Sequence, residues 1–292
     1  MRPDDIERLC RAVLPGTGGV DIEPLGRGLL SETYRVRRQG LAYTLKAATP
    51  NRPQFGLDFA WEVRLLERAT ESGLAPPLIY HDAKRVLLSR WVEGEVWSPQ
   101  QAALPAYLGK MARLLRRVHA LPLTSNADPM GPRWWIESYS AMLLRDAPRR
   151  LDPALTEAAA VHLRELEELP RAAGVVCHGD LHALNVLRCD QGLILLDWEY
   201  AHVADPLWDV AGWCANNDFE SETQRDLLGQ YLGALPDPHE WGRFRRLLWL
   251  YDYVCVLWAE LYVSLRRDAS QGIARRAAEL DARLHLPAHY AA

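Results

Sequence analysis

The chain has 292 residues, 49% of them hydrophobic and 25% charged, with a formal net charge of −4. That balance suits a globular protein with a sizeable buried core, and the acidic excess argues against a broad nucleic-acid-binding surface. No secretory signal and no membrane insertion are expected: residues 1–14 carry Asp4, Asp5 and Glu7, and the most apolar run, 247–263, is broken by Asp252 and Glu260 and falls short of the ~20 residues a bilayer requires.

In chain order, residues 4–14 read as a helix ended by Pro15 and nearby glycines. Strand-like runs follow at 20–25, 33–37 and 41–47, with a glycine turn after the first. Residues 58–70 form a helix whose apolar stripe includes Trp61, Leu65 and Leu66. Two short strands, 78–80 and 85–89, flank a turn at 82–84. After Gly94 the pattern becomes helical. Leu104, Leu108, Met111, Leu115 and Val118 recur at helical spacing, and further helices fit 134–144, 153–168, 206–216, 222–232, 240–266 and 271–284. Strands remain only at 175–177, 186–188 and 193–196. This order predicts an α+β chain with a small antiparallel sheet in residues 1–94 and a mostly helical part in 95–292. The five cysteines are scattered and form no Cys-x-x-Cys pair. Reduced thiols in a cytoplasmic protein are therefore expected, not a disulfide framework or a zinc site.

The densest chemistry lies in His178-Gly-Asp-Leu-His-Ala-Leu-Asn185, followed by Leu195-Leu-Asp197-Trp-Glu199. Phosphoryl transfer needs a carboxylate to orient and deprotonate the attacking hydroxyl, and oxygen ligands for the magnesium that neutralises the phosphates. Asp180 on a loop between strands, Asn185 five residues later and Asp197 closing the next strand supply these types. Taken singly, each Asp or Asn fits a turn role; the joint pattern favours catalysis. His178 and His182 stand four apart, yet no third nitrogen or sulfur ligand lies at suggestive spacing. His178 is expected to brace the loop.

This run resembles the aminoglycoside phosphotransferase and choline kinase superfamily, whose members share a two-lobed protein-kinase-like fold. The resemblance extends over roughly residues 20–260. It implies Asp180 as catalytic base, Asn185 and Asp197 as Mg2+ ligands, and Glu199 as a further metal or acceptor ligand. It also implies ATP as phosphoryl donor. Lys46 would bind phosphate and be held by Glu62, with Glu67 as a rival, while Gly26, Gly28 and Ser31 sit in a loop over the phosphates. The backbone of Arg90 and Val92 would meet adenine. Asp209 matches an aspartate that anchors the catalytic loop, and Asp205 before Pro206 reads as a helix cap.

The acceptor is expected to be a small-molecule hydroxyl compound. Tyr251, Trp258 and Tyr262 fall on one helical face, which resembles the aromatic wall of choline kinases and suits a quaternary cation; core packing explains the same residues. Residues 197–201 also resemble bacterial thiamine kinases. Choline comes first and thiamine next. An aminoglycoside or amino sugar is the alternative, disfavoured by a tail, 287–292, without acidic side chains. A pseudokinase is the competing class, but Lys46, Asp180, Asn185 and Asp197 are all present.

Overall fold

The computed structural model describes residues 1–123, 130–170, 172–265, 271–286 and 290. Helix α1 (Pro3–Val13) opens the chain and is followed by the strands β1 (Asp21–Arg27), β2 (Ser31–Arg38) and β3 (Leu41–Ala48). A 3-10 turn at Arg52–Phe55 leads into α2 (Phe59–Glu71), where Asp58 accepts the amides of Ala60 and Trp61 as N-cap. Strands β4 (Leu78–His81) and β5 (Val86–Arg90) complete a five-stranded antiparallel sheet in the order β1-β2-β3-β5-β4. Alternation along β3 turns Tyr43, Leu45 and Ala47 inward, where they meet Ile6, Cys10 and Leu14 from α1 and the turn after it. Arg38, itself buried, donates to the carbonyl of Cys10 (3.0 Å), which also accepts the Leu14 amide, and to that of Leu14 (2.8 Å), and so ties the end of α1 to β2.

The short strand β6 (Glu95–Val96) is followed by α3 (Pro99–Ala102), α4 (Pro105–His119), α5 (Pro132–Asp146), α6 (Pro153–Glu168) and β7 (Val175–Cys177). The hairpin β8 (Val186–Cys189) and β9 (Gly192–Leu195) then precedes β10 (His202–Ala204), α7 (Leu207–Asn216), α8 (Ser221–Leu232), α9 (Pro238–Leu265) and α10 (Gln271–Leu284). The expected helix end at Arg266 and most of the tail at 287–292 lie outside the described residues.

The chain divides into two compact units, Met1–Val96 with Val186–Tyr200, and Trp97–Asn185 with Ala201–Ala292. The expected division at residue 94 therefore needs a correction. The hairpin, placed by the sequence reading with the helices, belongs to the first unit: β8 pairs with β6, and the Leu195 amide donates to the carbonyl of Leu74 at 2.7 Å. Long-range strand pairing of this kind leaves no local signature.

In the second unit α9 is the central element. It is long and apolar enough to cross a membrane, but most of its side chains are buried, and α5, α6, α7 and α10 pack around it. Core burial accounts for its composition.

Candidate functional site

In the second unit, β7 delivers the chain into the loop at His178. Gly179 adopts φ 79°, a left-handed conformation that glycine takes without steric cost. The buried carboxylate of Asp209, in the first turn of α7, accepts the amides of His178 (2.8 Å) and Gly179 (2.9 Å). His119 at the end of α4 places Nε2 3.2 Å from the same carboxylate, and its Nδ1 lies 2.8 Å from the Tyr231 hydroxyl. Burial pushes the Asp209 carboxyl up, but His119 and the loop amides outweigh it, so its pKa lies below the usual value.

Asn185 Nδ2 donates to the Asp180 carbonyl at 2.9 Å. That commits the amide nitrogen and leaves Oδ1 as the group able to take a cation. Asn216 Nδ2 holds the Leu181 carbonyl and the Tyr251 hydroxyl, each at 3.0 Å. Successive residues 178–181 are thus each tied through the backbone. The Asp180 side chain stays about one-third exposed, 3.8 Å from His182 Nε2. The His178 ring is fully buried, and its Nδ1 lies 3.4 Å from the Asp180 amide.

In the first unit, Lys46 on β3 lies 3.0 Å from Asp197 Oδ1 and 2.9 Å from Glu199 Oε2. Burial works against the ammonium, but Asp197, Glu199 and Glu62 together raise its pKa above the ordinary lysine range. Glu62 is buried on α2, whereas its rival Glu67 is half exposed and pairs with His81. Glu62 forms an ion pair with Lys46 at 3.9 Å and a closer one with Arg52, at 2.6 Å. Burial raises the Glu62 pKa despite the opposing pull of Lys46 and Arg52. Asp197 itself sits at φ 56°, unusual for a non-glycine residue.

Asp197 and Glu199, in the first unit, offer carboxylate oxygens, hard donors of the type that suits Mg2+, and Asn185 Oδ1, in the second, is a donor of the same type. Elsewhere, buried Cys177 lies with His119 and Asp209. Burial first, then the charge of Asp209, keeps that thiol protonated, which does not suit a thiolate-bound metal.

The glycine loop is a tight hairpin in this conformation. The Gly28 amide donates to the Ser31 carbonyl at 2.8 Å, and the Leu29 carbonyl is held by Thr49 Oγ1 and Asn51 Nδ2. Gly28 therefore serves the turn, and its amide is not offered to a phosphate; Gly26 follows a register shift in β1 and has open space where a Cβ would stand. Arg90 ends β5 with its amide on the Pro77 carbonyl and its guanidinium over Tyr43, and Val92 follows outside any strand.

Tyr251 is 5% exposed, packs against Trp208 with ring centroids 5.0 Å apart, and has its hydroxyl bonded to Asn216. Through Asn216 it braces the Asp180 loop, and its expected place on an acceptor wall is corrected. Trp258 is half-buried and lies against Tyr262, centroids 5.2 Å apart. Three contributors escaped the sequence reading: Arg52, His119 and Asn216. Their spacing to Glu62, Asp209 and Leu181 follows no local period. Only the polarity of Asn216 at the end of a mostly apolar helix stood as a signal.

Comparison with known proteins adds an independent line. The chain is 24% identical to mouse ethanolamine kinase 1 over 62% of its own length and 55% of that protein, so it spans about half the length of that relative. A choline/ethanolamine kinase family protein from Mesorhizobium loti superposes with a TM-score of 0.77 at 22% identity, covering 100% of this chain and 98% of the other. A choline kinase from Streptococcus pneumoniae gives 0.78 at 20% identity, covering 96% and 98%; the same protein has been solved with AMP. At these identities the structural likeness is one of fold. The model of the phosphotransferase enzyme family matches residues 21–246, taking in Lys46, Glu62, the clamped Asp180 loop, Asn185, Asp197, Glu199 and Asp209, and the chain belongs to that family.

Proposed function

We propose that the chain is a small-molecule kinase that moves the γ-phosphoryl group of ATP to the hydroxyl of a cationic alcohol. The observation that carries the reaction class is the clamped loop, which presents a part-exposed Asp180 next to Asn185. In this reading Asp180 orients the acceptor hydroxyl and takes its proton. An oxygen–phosphorus bond forms to the acceptor as the bond between the γ-phosphorus and the β,γ-bridging oxygen breaks. The transition state is loose, so positioning and charge stabilisation carry most of the catalysis. Lys46 stabilises phosphate oxygens. Asp197, Glu199 and Asn185 would hold Mg2+, which supplies charge neutralisation when bound.

The preference for a cationic alcohol has two supports. The relatives described above are named for choline and ethanolamine. In addition, α9 passes close to Asp180: burial first, then the charges of Asp252 and Asp180, hold the Cys255 thiol in its protonated form. One turn further along α9, the Trp258–Tyr262 pair offers π faces to a cation, each good contact contributing about 0.5–2 kcal/mol. Choline is the first candidate and thiamine the next.

The test is release of ADP from MgATP in the presence of choline, ethanolamine, thiamine, kanamycin or amino sugars. Asp180→Ala is expected to cut turnover by at least about 10²-fold while nucleotide still binds. Undiminished turnover by that variant would remove Asp180 as base. A preference for kanamycin would replace the acceptor class, and a wild-type protein inactive on every acceptor would favour a binding module.

A further inference from the structure

Helix α7 grips the Asp180 loop from both of its ends. Asp209 in its first turn holds the amides of His178 and Gly179, and Asn216, its last residue, holds the Leu181 carbonyl. His119 from α4 backs the Asp209 end. The Asn216 end is backed from α10. Arg276 Nη2 donates to the Ala215 carbonyl at 3.1 Å, and its two Nη atoms fork onto the carboxylate of Asp218, at 2.9 and 3.1 Å. The chain leaves α7 through Asp218 at φ 52°, a left-handed conformation that aspartate tolerates better than most residues. Arg283, two turns further along α10, reaches the same carboxylate at 2.7 Å and pairs through its other nitrogen with the buried Asp252 of α9.

We infer that Arg276 is a positioning residue for the Asp180 loop: by fastening the last turn of α7 to α10, it fixes Asn216 and, through it, the Leu181 carbonyl beside the base. The inference rests on the phosphotransferase reading for the role of Asp180. Its physical basis is the place of the contact more than its strength. The side chains of Arg276 and Asp218 are 35% and 58% exposed, and ion pairs open to water add little to global stability. The planar fork nevertheless fixes direction as well as distance, and a cation suits the carbonyl end of a helix. Without it the last turn of α7 opens more often, as unfastened helix ends do, and Asn216 loses its aim on the loop. Displacement at a reacting group is costly in rate.

Arg276→Met is expected to lower kcat roughly three- to tenfold with the KM for MgATP unchanged, while Tm moves by less than about 4 °C. Hydrogen exchange read by mass spectrometry gives a second measure that needs no substrate. In Arg276→Met the amides of residues 178–185 exchange several-fold faster, and those of α6, in the same unit, do not change. A variant that had merely lost stability would quicken exchange in both. In Asn216→Ala, where the tie to Leu181 is already gone, adding Arg276→Met lowers kcat no further. Unchanged exchange over 178–185 in Arg276→Met overturns the inference, as does an unchanged kcat or full additivity with Asn216→Ala. If Arg276→Met does not fold, Asp218→Asn, which keeps a side chain suited to positive φ, decides by the same exchange and rate measurements. Wild-type protein that turns over no acceptor overturns the phosphotransferase reading instead, and the exchange measurement then decides the positioning role alone.

Discussion

Replacing Asp209 by alanine removes a side chain that holds the start of the Asp180 loop. In the folded protein its carboxylate accepts two backbone amides, at 2.8 and 2.9 Å, and faces His119 at 3.2 Å, all in a buried setting. Hydrogen bonds to a charged group contribute about 1.5–3 kcal/mol each. Truncating one member of a buried charged network costs about 3–5 kcal/mol, because the remaining groups lose their partners. For a chain of this size that corresponds to a fall in Tm on the order of 10 °C. Asp180 lies directly beyond the two released amides, and a displacement of about 1 Å at a reacting group is enough to cost ~10²-fold in rate. Asp209→Ala is therefore expected to lower both Tm and turnover, measured by thermal unfolding and ADP release. Asp209→Asn, which keeps one acceptor oxygen, should fall between Asp209→Ala and wild type. Because the folded carboxyl has a pKa below its unfolded value, its contribution is present above about pH 4 and is lost as pH falls through the folded pKa. The Tm gap between wild type and Asp209→Ala should therefore shrink on acidification below about pH 4. A variant with wild-type Tm and turnover would refute the clamp.

Two more predictions concern α9. Gly212 on α7 has no room for a methyl group, since a Cβ there would meet the buried Tyr251 ring at 2.6 Å. Gly212→Ala should destabilise by about 1–3 kcal/mol through overpacking and also slow turnover, because Tyr251 holds Asn216 and Asn216 holds the Leu181 carbonyl; denaturant unfolding together with steady-state kinetics reads both, and normal kinetics would detach Tyr251 from the loop. Trp258→Ala should raise the acceptor KM several-fold, in line with the loss of about 1 kcal/mol of cation–π attraction, with the KM for ATP unchanged. Equal acceptor KM values in the two proteins would take Trp258 out of the site.

What the sequence determined by itself was everything local. The helix at Pro153–Glu168 starts at a proline behind the capping Asp152, and the alternation in Leu41–Ala48 marks a half-buried strand. Both signals reside in consecutive residues, as does the motif joining Asp180, Asn185 and Asp197. Tertiary structure decided the partnerships. Arg52 and Glu62 lie ten residues apart, on a 3-10 turn and a helix. His119 and Asp209 are separated by 90 residues. The hairpin at 186–195 joined the N-terminal sheet unit because its edge strand found β6. In each case the contact depends on how elements pack, and burial sets its strength. A buried carboxylate takes the cations that the fold brings near; for Glu62 the nearest is Arg52, with Lys46 shared among Glu62, Asp197 and Glu199.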